Sequence, residues 1–273
     1  MCAFLWAAAA RAGNVILMIG DGMGLQHILC SQDDDSFLYR GLPLSGFVST
    51  NNALGNVTDS AAAATAYACG VKTRNGYLGM LPDKTPCSTI AEDMAESGGQ
   101  VGLYTTDKAK GATPAGFYAH VEDRKDDAGI QSHLDAAQKT MTIRGSLKDL
   151  APEMPKILSE LKPPFFAMIE GSDIDKKSHA QKMPEMQAAM KDFDRAVRQA
   201  YKFARQTPDT TLIVLADHET GGIDEDCRFT TAQHTGVEVP LFAAGAQAAR
   251  FIGPLDNTEI HAKMRQILFD KGR

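Results

Sequence analysis

The sequence has no excess of positive charge, no long apolar run and no repeated or low-complexity tract. Its 28 lysines and arginines are outnumbered by 34 aspartates and glutamates, a formal net charge of −6. Holding DNA or RNA by bulk charge is thereby excluded as its mode of action. No apolar run approaches the roughly 20 residues that a membrane-spanning helix requires. Charged side chains make up 23% and hydrophobic ones 44%, a balance that excludes wholesale disorder and collagen-like repeats. The 24 glycines and 12 prolines are no more than a normal supply of turns. A chain of 273 residues buries a full core without disulfide staples.

Cysteine is scarce, with five residues and no C-x-x-C pair. Cys2 lies in the apolar stretch Cys2-Ala3-Phe4-Leu5-Trp6, which runs into four alanines, and Ala10-Arg11-Ala12 has the small-x-small form of a signal-peptidase site. Residues 1–12 are read as the remnant of an export signal. The competing reading is an apolar lead-in to the first strand, because the usual positive start is missing. Without Cys2, the remaining Cys30, Cys69, Cys87 and Cys227 are an even number, compatible with disulfides in an oxidising, periplasmic or secreted location. Their spacing does not disclose the pairing.

Short apolar runs at Asn14–Ile19, Val101–Tyr104, Pro164–Ile169, Thr211–Ala216 and Val237–Phe242 read as buried parallel strands. Helical patterns lie between them. Ser60–Cys69 is alanine-rich and stops at Gly70. Ser88–Ser97 starts from a serine cap and stops at Gly98-Gly99. From Pro184 to about Arg205, Met186, Met190, Phe193, Val197, Tyr201 and Ala204 recur at helical spacing. Strands alternating with helices predict an α/β fold, a central and mostly parallel sheet with helices on both faces.

Three of the strand-like runs end on acids: Asp21, Glu170 and Asp217. Ligands of open α/β sheets bind beyond the carboxyl ends of the strands, so the three acids are expected to share one crevice. Polar loops also follow strands for no functional reason, and any one acid alone is explained that way. That plainer reading weakens when the three are taken together with their neighbours. Asp175 and His179 are four apart, on one face of a helical turn. His218 follows Asp217, and His234 precedes another strand. Carboxylate oxygen with imidazole nitrogen is a normal zinc set. Two like charges at 4 Å repel by roughly 4 kcal/mol at an effective dielectric near 20, a cost that divalent cations remove. Ser60 heads an alanine helix, where free N–H groups and the helix dipole favour an anion, and a metal-activated serine is a nucleophile. Asp59 beside it is a capping residue on the plainer reading. Arg124, a surface charge if taken alone, has the bidentate fork that grips phosphate.

Asp21-Gly22-Met23-Gly24, Thr58-Asp59-Ser60-Ala61-Ala62-Ala63-Ala64-Thr65-Ala66, Gly70-Val71-Lys72-Thr73, Ala112-Thr113-Pro114-Ala115, Glu170-Gly171-Ser172-Asp173-Ile174-Asp175, Ala216-Asp217-His218-Glu219-Thr220-Gly221-Gly222 and His234-Thr235-Gly236 occur in this order across nearly the whole chain. As an ordered set they resemble alkaline phosphatase. The resemblance implies a single catalytic domain over residues 13–273 holding two Zn2+ ions and one Mg2+ ion. By it, Asp175, His179 and His234 match the first zinc site, Asp21, Asp217 and His218 the second, and Asp21, Thr113 and Glu170 the magnesium site. Ser60 matches the nucleophile, Arg124 the phosphate-binding arginine, and Asp59 the acid that positions it. Lys176 falls where bacterial members often carry a lysine near the phosphate. The implied activity is hydrolysis of small phosphate monoesters through a phosphoserine. The rivals are another hydrolase of the same superfamily and a non-catalytic metal-binding relative.

The chain also departs from the family pattern. Only 45 residues separate Arg124 from Glu170 and only 15 separate His218 from His234, where familiar members carry long peripheral insertions. The implied homodimer is therefore left open. Gly111 stands two before Thr113, where relatives commonly place Asp or His, and it offers neither carboxylate nor imidazole. Weak magnesium binding is expected from this, with Lys176 lacking an acidic partner at that position and free to reach toward phosphate; the alternative is that Gly111 suits a tight turn and a neighbouring loop residue orients the ligand.

Overall fold

The computed structural model describes residues 13–270, and the leader expected at 1–12 lies outside them. In chain order the strands are β1 (Asn14–Gly20), β2 (Leu44–Ser49), β3 (Gln100–Thr105), β4 (Thr142–Arg144), β5 (Phe165–Gly171), β6 (Thr210–Leu215), β7 (Glu219–Thr220), β8 (His234–Thr235), β9 (Val239–Gly245) and β10 (Leu255–Asp256). The helices are α1 (Leu25–Ser31), α2 (Phe37–Arg40), α3 (Ser60–Cys69), α4 (Ile90–Glu96), α5 (Ala112–Ala115), α6 (Asp127–Ala137), α7 (Leu150–Glu160), α8 (Asp173–His179), α9 (Met183–Gln206) and α10 (Asn257–Phe269). The main sheet runs in the order β10-β2-β9-β6-β1-β5-β3-β4, with helices on both faces, and β7 and β8 form a separate hairpin.

The middle of the sheet is parallel: β1 pairs with β5 and β6, and β3 with β5 and β4. Val15 to Ile19, Phe165 to Ile169 and Leu212 to Leu215 are wholly buried, as continuous apolar runs covered on both faces must be. The last of the strands expected from the sequence differs from the parallel reading. β9 runs antiparallel to both β6 and β2. After β6 the chain makes no helical crossover. It stays at the carboxyl edge of the sheet through the β7–β8 hairpin and re-enters from that edge, so it must run the other way.

The alanine helix α3 is buried along all but its last residue and capped at both ends. Asp59 Oδ1 accepts from Ala62 N at 2.9 Å, and Gly70 takes the left-handed conformation, φ 72°, that ends a helix cheaply only at glycine. Small side chains let neighbours approach closely: a Cβ at Gly116 would lie 2.7 Å from Ala64 Cβ. The cap of α4 is Thr89, not Ser88. Thr89 Oγ1 accepts from Glu92 N at 3.1 Å and Glu92 Oε2 accepts from Thr89 N at 2.9 Å, a reciprocal pairing that Ser88 lacks the glutamate to make. α9 buries Met186, Met190, Phe193, Val197 and Ala204 and half-buries Tyr201. Cys30 is bonded to Cys227 and Cys69 to Cys87.

Candidate active site

β5 and β6 flank β1 in register, so Ile19 lies beside both Glu170 and Leu215. The loops that leave these three strands carry Asp21 and Asp217 to the place where Glu170 ends β5. The turn at Gly22 has φ 74°, and a Cβ there would sit 2.9 Å from Thr220 Oγ1 and 3.0 Å from Asp175 Cβ. Only glycine fits between them in that conformation.

Two groups of candidate ligands form at this edge. The ligand atoms of Asp175, His179 and His234 lie within 4.8 Å of one another, and so do those of Asp21, Asp217 and His218. In the first group α8 puts Asp175 Oδ1 3.3 Å from His179 Nε2, and the hairpin brings His234 Nε2 to 3.6 Å. His179 Nδ1 lies 2.7 Å from Ala232 O and His234 Nδ1 3.0 Å from Thr58 O. A carbonyl only accepts, so each Nδ1 carries the proton and donates. The two Nε2 atoms, 3.0 Å apart, then turn lone pairs toward one another and toward a carboxylate. That arrangement is relieved by a cation between them, and outer carbonyls of this kind orient imidazole ligands.

The second group is fully buried. Asp217 Oδ1 accepts from Gly22 N at 3.1 Å and His218 N at 3.0 Å, while Asp217 Oδ2 and Asp21 Oδ1 have no hydrogen-bond partner among the described residues. His218 Nε2 faces these orphans at 3.2 and 3.6 Å. Thr220 links the two groups. Its hydroxyl donates to Asp175 Oδ1 at 2.6 Å and so accepts from His218 Nδ1 at 3.2 Å, leaving His218 Nε2 as a lone pair. Burial pushes Asp21 well above the usual carboxylate range, helped by the carboxylates of Asp217, Asp175 and Glu170. Burial also raises Asp217 and drives His218 down to about 3. The His218 ring stacks on that of His234 at 3.5 Å.

Beside this group Glu170 is raised to about 7, mainly by burial. It accepts from Thr105 Oγ1, and the Thr113 side chain lies against it, yet Thr113 Oγ1 has no hydrogen-bond partner among the described residues. Orphaned, buried oxygens from Asp21, Thr113 and Asp217, with charged-form penalties on three acids, fit hard divalent cations. The first group, two imidazoles and a carboxylate, and the second, two carboxylates and an imidazole, both offer donors that suit divalent metal ions.

Ser60 Oγ lies 3.3 Å from His218 Nε2 at the first residue of α3. Asp59 serves three partners: Ala62 N on Oδ1, and on Oδ2 Gly76 N at 3.0 Å and Arg124 NH1 at 3.1 Å. Arg124 N also donates to Gly76 O at 2.8 Å, so the arginine is held from backbone and side chain, with the rest of its fork free. Every site residue named from the sequence is thus brought to this edge, with one correction. Lys176 does not lack an acidic partner: its Nζ is 2.8 Å from Asp107 Oδ1 and 3.0 Å from Ser172 Oγ. Asp107 Oδ2 sits 2.5 Å from where a Cβ on Gly111 would be. The glycine makes room for a carboxylate that arrives from four residues earlier. Asp107 and Thr220 are the residues that reading the sequence missed. Thr220 lay inside a recognised motif, but nothing in that motif says which way a threonine hydroxyl points.

A family model described as alkaline phosphatase matches residues 12–144 and 126–228. Alkaline phosphatase 4 of Bacillus subtilis is 28% identical over 300 aligned positions, covering 78% of this chain and 62% of that protein. Alkaline phosphatase of Escherichia coli strain K12 is 24% identical over 409 positions, covering 94% of this chain and 86% of that one. Among solved structures, the alkaline phosphatase of the Antarctic bacterium TAB5 superposes with a TM-score of 0.83 at 27% identity, covering 95% of this chain and 98% of that chain. A mutant of that enzyme was solved with Mg bound in its M3 site. The chain spans about three-fifths of the length of the Bacillus subtilis relatives it matches, 62% and 61%.

Proposed function

The chain belongs to the alkaline phosphatase family, and from that premise we propose that it hydrolyses small phosphate monoesters through a phosphoserine on Ser60, releasing inorganic phosphate. The observation that carries this reading is the Ser60 hydroxyl at the amino end of α3, 3.3 Å from His218 Nε2 and beside two groups of aligned ligand atoms. Asp175, His179 and His234 would hold one Zn2+, Asp21, Asp217 and His218 the other, and Asp21, Thr113 and Glu170 an Mg2+. When bound, such ions supply Lewis-acid charge that stabilises an alkoxide and the phosphoryl oxygens.

The protein's own groups do the rest. Ser60 Oγ bonds to phosphorus as the ester P–O bond breaks and the alcohol leaves on the opposite side. The free N–H groups of Arg124 bind phosphoryl oxygens while Asp59 keeps the guanidinium aimed. Ala62 N and Ala63 N are already taken by Asp59, so Ser60 N and Ala61 N remain for an anion at the helix end. Water then cleaves the phosphoserine, and the Ser60 hydroxyl is restored. We place this activity in the periplasm or outside the cell, an assignment supported by the two disulfides. No described helix is long and apolar enough to cross a membrane.

The test is hydrolysis of a chromogenic phosphate monoester by the wild type and by Ser60→Ala, with acid trapping of radiolabelled phosphate. Ser60→Ala should keep its metals and lose most turnover, and the label should sit on Ser60. Full activity in the variant, or label on another residue, overturns the assignment.

A further inference from the structure

We propose that the Cys30–Cys227 cross-link positions the Asp175–His179–His234 group, so that metal retention there depends on this disulfide while the Asp21–Asp217–His218 group does not. The inference rests on reading the first group as metal ligands.

The carbonyl that orients His179 belongs to the excursion between β7 and β8, and His234 closes that excursion as the first residue of β8. Residues 222–233 are bonded mostly to themselves. Asp224 N donates to Arg228 O, Cys227 N to Asp224 O, and Thr230 N and Thr231 N to Gly221 O. Asp224 also pairs with Arg228. Glu219, at the base, accepts from Gly222 N and from Thr235 Oγ1. Among the described residues, one hydrogen bond ties 222–233 to anything outside 219–235, and it is the one His179 Nδ1 donates to Ala232 O. Ile223 and Phe229 give apolar anchorage where they bridge one another. Among the described residues no hydrogen bond ties the tip beyond them to the body, and Cys227 fixes it there covalently.

Its partner sits on a helix that supports the other histidine as well. Cys30 is one turn beyond His27 on α1. His27 is wholly buried, with Nε2 3.0 Å from Ser178 Oγ, the residue before His179, and Gly24 N donating to its Nδ1 at 3.1 Å. Gln187 on α9 donates to Cys30 O at 2.6 Å. α1 is therefore a common support: one side holds the end of α8, the other holds the excursion. The 3.0 Å approach of His179 Nε2 to His234 Nε2 is set by both attachments together with the bond that His234 Nδ1 donates to Thr58 O. The second group is carried by the main sheet, because Asp217 and His218 leave β6 directly and Asp21 leaves β1; the hairpin touches it through Thr220 at its base and the stacked His234 ring, neither of which lies in the excursion. The disulfide is the covalent half of this support, and reduction would open it without breaking any strand pairing of the main sheet.

The experiment counts zinc retained against a graded series of chelator concentrations, and follows backbone hydrogen exchange of residues 224–234 in the metal-free protein. It uses the wild type, Cys30→Ala/Cys227→Ala, and Cys69→Ala/Cys87→Ala as the control for loss of a disulfide elsewhere. As a second route, the folded control protein is reduced, which opens Cys30–Cys227 without requiring the variant to fold. In the cross-link variant and the reduced control, one zinc should leave at chelator concentrations about ten- to a hundredfold lower than in the wild type, the scale of outer-shell effects on metal affinity. The second zinc should stay, and exchange at 224–234 should quicken. The oxidised control should match the wild type in both readings. Unchanged retention and exchange would overturn the proposal, as would simultaneous loss of both zincs at the concentration where the whole protein melts. A wild type that binds no zinc would instead defeat the metal reading, and the exchange measurement would still decide for or against the cross-link.

Discussion

Thr220 is the residue through which the two ligand groups feel one another, and its removal separates two effects that are usually confounded. Thr220→Val keeps the shape and deletes the hydroxyl, which is wholly buried. Asp175 Oδ1 loses a 2.6 Å donor and His218 Nδ1 loses its acceptor at 3.2 Å. A hydrogen bond to a charged group contributes about 1.5–3 kcal/mol, and a buried donor left unpaired costs about 1–3 kcal/mol. The metal-free protein escapes the second cost. The His218 proton can move to Nε2, where Asp217 Oδ2 waits at 3.2 Å. Metal-free Thr220→Val should thus lose only about 2 kcal/mol, roughly 4 °C in Tm for a chain of this size. The metal-bound form has no such escape, because a ligated Nε2 forces the proton onto an Nδ1 with no acceptor. That cost of about 1–3 kcal/mol appears as a roughly five- to hundredfold weaker zinc affinity at the second group, at about 1.4 kcal/mol per decade. Thr220→Ser retains the oxygen and should behave as the wild type in metal binding. Calorimetric melting of the metal-free proteins and competition of each with a zinc chelator would measure the two parts. If Thr220→Val holds both zincs as tightly as Thr220→Ser does, Thr220 is not the group that sets the His218 tautomer, and the reasoning fails.

Other consequences follow from the same geometry. His179→Ala and His234→Ala should each lower zinc content by about one ion, and the double variant should lose little more than the worse single one, since both serve one site; unchanged zinc in both variants would refute the first-group assignment. In the metal-free protein Glu170 has its folded pKa raised from 4.5 to about 7. Its contribution is therefore fully present below about 4.5 and lost as pH rises through 7, and Glu170→Gln should flatten that part of the stability profile; superimposable melting-versus-pH curves for the two proteins would count against it. Gly111→Asp should not tighten magnesium. Its Cβ would meet Asp107 Oδ2 at 2.5 Å, so the new carboxylate must push Asp107 away from Lys176, lowering Tm and leaving magnesium half-saturation, read by calorimetry, no better than in the wild type. Tighter magnesium with an unchanged Tm would contradict this.

Much of the fold, and the acids and histidines of the candidate site, were legible in the residues for reasons that are local. The bounds of α3 followed from Asp59 before it and Gly70 after it, because capping chemistry acts within one turn. Asp175 and His179 met because i and i+4 share a helix face. Asp21, Glu170 and Asp217 converged because acids at the carboxyl ends of adjacent parallel strands have nowhere else to go. What the residues left undetermined was non-local. The direction of β9 depended on whether the chain crosses the sheet after β6 or turns back, and an apolar run reads alike either way. The cap of α4 turned on a side-chain reciprocity between Thr89 and Glu92 rather than on a serine one place earlier. The partner of Lys176 depended on how the loop after β3 folds over Gly111, which lets Asp107 fill a space that its position in sequence does not indicate. The pairing of Cys30 with Cys227, 197 residues apart, and the proton order running from Asp175 through Thr220 to His218 exist only once separate elements are packed together. Short-range rules of capping, periodicity and strand termination thus pointed to the acids, the histidines and Ser60 at the sheet edge, while Thr113, Arg124 and Lys176 were named by the resemblance to alkaline phosphatase. Tertiary structure alone decided which lone pair faces which, because hydrogen-bond direction depends on atoms that only packing brings within 3 Å.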